Sequence, residues 1–232
     1  MPVLEFRING NPNEILKYDI KKIVNAGYTG RNQAEVQKHI DELKEKGIPA
    51  PDETPTYFAK FNDRLIQDEI IEVLDESDHS GEAEYALLCT ETEIYVATGS
   101  DHTDRKLEED DIPKAKQVYP NTISKDVWRL SEVKDHWDEI VLRSWVEHEG
   151  QKVIFQEAPL SALLAPEDLL ARVKKIVDLP SIDGLVIYSG TVAAKVDVDY
   201  SPYFAVELDD RKRNVKLINS YRLEPVSKWF KK

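Results

Sequence analysis

The chain has 232 residues, 41% of them hydrophobic and 9% aromatic, which is enough for one large core or two modest ones. Its 31 lysines and arginines against 44 aspartates and glutamates leave a net charge of −13, a field that argues against nucleic acid or an anionic membrane surface as a main partner. The single cysteine, Cys89, excludes an intrachain disulfide, and no stretch reaches the roughly 18 apolar residues of a membrane span, so a soluble cytoplasmic protein is expected.

The opening MPVLEFRINGNPNEILKYD alternates apolar and polar residues and lacks the apolar run of a secretory signal. Val3–Ile8 and Ile20–Val24 read as short strands. A helix is expected from near Asn32, with Ala34, Val36, Ile40 and Leu43 on one flank and a stop at Gly47 before Pro49. Thr56–Phe61 and Glu69–Leu74 follow as strands, with His79 in a polar loop. Glu82–Thr90 and Glu93–Thr98 form a hairpin about Glu91-Thr92, and Gly99-Ser100-Asp101 ends its second strand.

Residues 104–116 are charged and helical in part, and Leu130–His136 suggests one or two helical turns. Glu139–Glu147 and Lys152–Glu157 flank a hairpin turn at His148-Glu149-Gly150-Gln151. A second helix starts at Ala165-Pro166-Glu167, with proline near its first turn, and runs through Ile176. Strands are expected at Leu185–Ser189, Thr191–Val198, Tyr203–Leu208 and Val215–Tyr221. In Thr191–Val198 the residues Val192, Ala194, Val196 and Val198 share one face. Trp128, Trp137, Trp145 and Trp229 read as core or interface anchors. Many short strands with few helices predict a β-rich α+β fold, a mixed β sandwich or roll.

The segment Gly81-Glu82-Ala83-Glu84-Tyr85-Ala86-Leu87-Leu88 bears most directly on function. Residues i and i+2 of a strand face the same side, so Glu82 and Glu84 project together at the mouth of an apolar strand. The hairpin returns Asp101 towards the same end. Three carboxylates with no Cys or His among them favour Mg²⁺, Mn²⁺ or Ca²⁺ over Zn²⁺. Taken alone, the Glu-x-Glu pair reads as a solvated strand face.

Glu82-Ala83-Glu84-Tyr85 and Asp101-His102-Thr103-Asp104-Arg105 resemble the metal-binding segments of the fumarylacetoacetate hydrolase superfamily. Other segments resemble it in the same order. They are Ile23–Gly27 with Gly30-Arg31-Asn32, Tyr57-Phe58-Ala59-Lys60, Ala115-Lys116 before Pro120, Arg143–Glu157, and Ser189-Gly190-Thr191. The resemblance covers roughly residues 20–220. It implies a single domain over 1–232, with 1–19 as a small N-terminal strand extension, and a homodimer.

It also implies a divalent metal held by Glu82, Glu84 and Asp101, and a small 2-oxo acid or 2-hydroxy-enoic acid as partner and substrate. Lys116 becomes the cation facing substrate, with Lys114 as its rival, and Gly190, Thr191 and Arg31 become substrate-binding candidates. Arg31 reads equally as a partner for the many acids, and Thr191 as a turn hydroxyl. Hydrolytic and decarboxylating members carry a His and a Glu one helical turn apart after the Gly-Arg-Asn turn. Here Val36 and His39 take those positions, so that dyad is absent. Glu35 and His39 form an i, i+4 pair that can serve as a rearranged acid–base pair or as a solvated helix pair. His102, beside Asp101, reads as structural. The expected function is a metal-dependent hydrolase. Isomerase or decarboxylase chemistry on the same substrates, or a non-catalytic binding protein that keeps the fold, are the alternatives.

Overall fold

A computed structural model describes residues 2–45 and 50–230 of the chain. A 10-stranded sheet runs in the order Ile15–Asp19, Val3–Ile8, Asp126–Arg129, Ile94–Asp101, Ala83–Cys89, Leu185–Tyr188, Lys22–Gly27, Thr56–Lys60, with Asn121–Ile123 and Leu65–Ile66 attached beside Ile94–Asp101. A second sheet has five strands, Gln151–Pro159, Val141–His148, Tyr203–Asp210, Val215–Pro225 and Ile70–Val73. Both sheets mix parallel and antiparallel pairs. This is the β-rich α+β sandwich or roll that the strand pattern predicts. Among the described residues no helix is long and apolar enough to cross a membrane.

The strand Ala83–Cys89 is buried on both faces, which explains its nearly continuous apolar sequence. Tyr85, Leu87 and Cys89 point into the core between the two sheets, where Trp137, Leu142, Val206 and Tyr221 meet them. Ala86 and Leu88 point the other way, against Ala97, Ile23, Val186 and Tyr188. Glu82 and Glu84 share that second face by alternation. The large sheet therefore carries two acids on the same side as a small apolar core.

Two sequence expectations at this sheet change. Gly99 and Ser100 do not end their strand; it continues to Asp101 and pairs with Glu84, Ala83 and Asn121. Glycine is required there, because a Cβ at Gly99 would lie 2.1 Å from the Thr122 carbonyl oxygen. Ile20 and Lys21 connect two strands instead of sitting within one, and Ile15–Asp19 is an additional strand paired with Val3–Ile8.

Thr191–Val198 is not a strand. Only Ala194 forms a bridge, to Gln156, and Gly190 enters the segment with a φ of 79° that breaks the extended run. The segment meets the edge strand Gln151–Pro159 at that one bridge, and a single bridge does not make a ladder. The first helix spans Gln33–Glu45, and its expected stop at Gly47 lies outside the described residues. The second helix ends at Val173, short of Ile176. Trp128 and Trp137 are core residues, whereas Trp229 is exposed.

Candidate metal centre and substrate cavity

The hairpin register sets the site. Ala83 pairs with Ser100 and Glu84 with Gly99, so one further step brings Glu82 opposite Asp101. Carboxylate oxygens of Glu82, Glu84 and Asp101 lie within 4.8 Å of one another, and all three residues are buried.

Three buried like charges need cations or protons. Lys116 Nζ donates to Glu82 Oε2 at 2.7 Å and lies 3.1 Å from Asp101 Oδ2. Arg105 lies 2.9 Å from Glu82 Oε1 and also bonds Glu108. Lys60 Nζ is 3.6 Å from Asp101 Oδ1 and donates to the carbonyls of Lys116 and Tyr119. Glu84 accepts only the backbone N–H of Gly190, at 2.7 Å, and has no cation of its own.

The acids titrate apart for these reasons. Burial would raise the Glu82 carboxyl, but Lys116 and Arg105 outweigh it and hold the group below the usual carboxylate range. Burial and the charges of Asp101 and Glu82 push Glu84 well above that range. Burial also raises Asp101, against the pull of Lys116 and Lys60. Burial would lower Lys116, but Asp101, Glu82 and Glu108 keep it protonated. Burial lowers Lys60.

The donor set fits a hard dication. It is oxygen-only and buried, and Glu84 carries charge repulsion without a counterion. Asp101 Oδ1 and Asn25 Nδ2 are also buried without a hydrogen-bond partner.

A cavity of about 890 Å³ opens over this face. Glu82, Asp101, Lys116, Arg31, Glu35, Gly190 and Thr191 all line it, so one cavity brings together most of the residues singled out from sequence. Arg31 is held by a two-bond pair with Asp138 and by the Leu163 carbonyl. Thr191 donates to the Ala83 carbonyl at 2.8 Å, which ties the 190–194 loop to the residue between the two glutamates. Glu35 is exposed on the cavity wall. His39 lies on the same helix, and its side chain is outside the described ones. Lys114, the rival of Lys116, pairs instead with Asp111 at the surface.

His102 is buried between His79 and Tyr221, 2.9 Å from each, as a structural residue. His79 is not in a polar loop; it is 2% exposed and strand-paired, which a sequence of Asp and Ser neighbours does not reveal.

Sequence reasoning missed three contributors. Arg105 and Lys60 stand inside quoted segments, so the signal was present. Gln156 lies inside the quoted Arg143–Glu157, where nothing set it apart from its neighbours. Its amide accepts from Ala83 N at 3.0 Å and Ser144 Oγ at 3.0 Å, and donates to Thr191 Oγ1 at 2.7 Å and Val192 O at 2.6 Å. It pins the glutamate strand and the 190–194 loop together from the other sheet.

The fold is shared with solved dehydratase and decarboxylase structures, as the sequence resemblance implies. The chain belongs to the family described as "Protein of unknown function (DUF2848)", which matches residues 26–221. No curated protein matches the chain by sequence. Among solved structures it is similar to 2-keto-3-deoxy-D-arabinonate dehydratase complexed with magnesium and 2,5-dioxopentanoate. That likeness has a TM-score of 0.63 at 17% identity and covers 92% of this chain and 78% of the other. It is also similar to 4-oxalocrotonate decarboxylase from Pseudomonas putida G7, complexed with magnesium and adipate, with a TM-score of 0.58 at 16% identity over 87% and 77% of the two chains.

Proposed function

We propose that the protein is a divalent-metal-dependent enzyme acting on a small 2-oxo acid or its enol. The observation that carries this reading is the buried triad of Glu82, Glu84 and Asp101 with one protonated lysine against it. These three carboxylates would hold Mg²⁺, Mn²⁺ or Ca²⁺. Such a cation, when bound, supplies Lewis-acid polarisation of a carbonyl and stabilises developing negative charge. The two structural neighbours are complexed with magnesium together with 2,5-dioxopentanoate or adipate, which supports carrying that chemistry to this chain.

Lys116 acts from the chain's own side. It stays charged and presents N–H donors at the edge of the triad, where a substrate carboxylate or enolate oxygen needs a cation. Thr191 and the Gly190 turn border the same space, and Gln156 keeps them in register with Glu82 and Glu84. Arg105 shares Glu82, so it limits how far that carboxylate can swing.

Dehydration or isomerisation fits these residues better than carbon–carbon hydrolysis or decarboxylation. Hydrolysis needs a general base for water. Val36, at the His position of the dyad that hydrolytic and decarboxylating members carry, is buried and apolar, while Glu35 stands on the cavity wall. We place the enzyme in the cytoplasm as a single-domain homodimer, the setting that the cysteine count and the superfamily resemblance imply.

The test is ion-dependent stability and enolisation. Mg²⁺ should raise the melting temperature of the wild-type protein, and Glu84→Ala should abolish that response. With Mg²⁺ present, NMR should show exchange of the pyruvate methyl protons for deuterium. A wild-type melting curve that ignores Mg²⁺, or an unaltered response in Glu84→Ala, refutes the assignment.

A further inference from the structure

The cavity turns apolar along the elements that lead away from the charged end. Thr56–Lys60 is an edge strand, and Phe58 shares a face with Lys60, which touches Asp101. Phe58 lines the cavity two residues further out. In the helix Ile112–Val118, Ile112 stands one turn from Lys116 on the same face and also lines the cavity. Val36 and Leu163 close a third side, packed about Gly30. Gly27 lets Thr56 pack closely on its backbone, because a Cβ there would lie 2.7 Å from Thr56 Oγ1.

The charged lining residues do not offer a second anion site. Arg31 is satisfied by Asp138, Arg105 by Glu82 and Glu108, and Lys38 also has a partner. Three further carboxylates, Glu35, Glu108 and Glu109, line the same cavity and repel a distal carboxylate. The volume of about 890 Å³ lies in the range of roughly 300–1,000 Å³ that holds drug-sized ligands, far more than a three-carbon acid fills.

Resting on the 2-oxo acid reading above, we infer that the substrate is a monocarboxylic 2-oxo acid with an extended apolar tail. The tail lies along Phe58, Ile112 and Val36 while the oxo-acid end meets the triad and Lys116. A substrate with a second carboxylate meets Glu35, Glu108 and Glu109 there, and cations that are already paired.

Titration calorimetry with the full chain and Mg²⁺ tests this. The probes are oxalate, pyruvate, 2-oxohexanoate, 2-oxooctanoate and the dicarboxylate 2-oxoadipate. Oxalate should bind only with Mg²⁺ present. Affinity should rise from pyruvate to 2-oxooctanoate by about fourfold for each buried methylene. 2-Oxoadipate should bind more weakly than 2-oxohexanoate, its equal in length. Phe58→Ala should flatten the chain-length gain, a ratio measured within one protein and so independent of its folded fraction. If oxalate binds with Mg²⁺ but chain length adds nothing, or 2-oxoadipate matches 2-oxohexanoate, the inference is overturned and the metal reading stands. If oxalate shows no Mg²⁺-dependent binding, the metal reading fails and takes the inference with it.

Discussion

The ammonium of Lys116 lies 2.7 Å from a carboxylate oxygen of Glu82, and both side chains are buried. This lysine is the nearest cation to Glu82 and Asp101, while among the described residues no cation pairs with Glu84. The site is therefore charged asymmetrically. A dication held by all three acids would relieve the repulsion at Glu84, and Lys116 would then face substrate.

Removing the lysine should be costly. Lys116→Met leaves Asp101 with only Lys60, at 3.6 Å, and one oxygen of Glu82 without its cation; breaking a buried pair typically costs about 3–5 kcal/mol, and Lys60 should soften that loss. Arg105 keeps its hold on the other oxygen of Glu82. The midpoint of urea denaturation should fall accordingly, and Mg²⁺ should restore part of the loss. A midpoint equal to that of the wild type would show that the buried acids are protonated instead of paired.

Backbone contact at the strand should be equally exacting. In Gly99→Ala the new methyl would overlap the Thr122 carbonyl, which belongs to a neighbouring strand and cannot rotate away. Overpacking of this kind costs roughly 1–3 kcal/mol or more. Because Asp101 sits two residues on, the Mg²⁺-dependent rise in melting temperature should shrink as well. Normal stability in this variant would contradict the close strand approach.

Cys89 supplies a pH test away from the site. Burial pushes its thiol up to about 12, only partly offset by Lys174. A raised folded value means that the stabilising contribution is complete below the unfolded value near 9 and is lost as pH rises from there towards 12. Cys89→Ala should therefore make the alkaline decline in stability shallower over that window. A disulfide reagent at pH 8 should leave the native thiol untouched and modify it fully in urea. Rapid modification of the native protein would mean that the strand Ala83–Cys89 opens readily.

Much of the fold was legible because its signals are local. The turn at Glu149 and Gly150 adopts positive φ in both residues, as the hairpin pattern predicts. The helix at Pro166 begins where its proline tolerates the missing donor. Local signals misled where pairing decides the outcome. Val192, Ala194, Val196 and Val198 alternate like a strand but form no ladder beyond the one bridge, whereas Gly99 looks like a terminator and is a paired strand residue. Gln156, within the quoted Arg143–Glu157, was not singled out, since its importance comes from four hydrogen bonds to residues 12 to 73 positions away.

The sequence by itself determined the donor chemistry: two glutamates in period-2 spacing and an aspartate across a hairpin, all oxygen, with no cysteine or histidine to recruit a softer metal. Only the tertiary structure decided which cations face those acids, that Lys116 and not Lys114 is buried among them, and which apolar side chains wall the space beyond. The physical reason is range. Side-chain spacing follows from the backbone period of one element, whereas burial, charge pairing and cavity shape arise where separate elements meet.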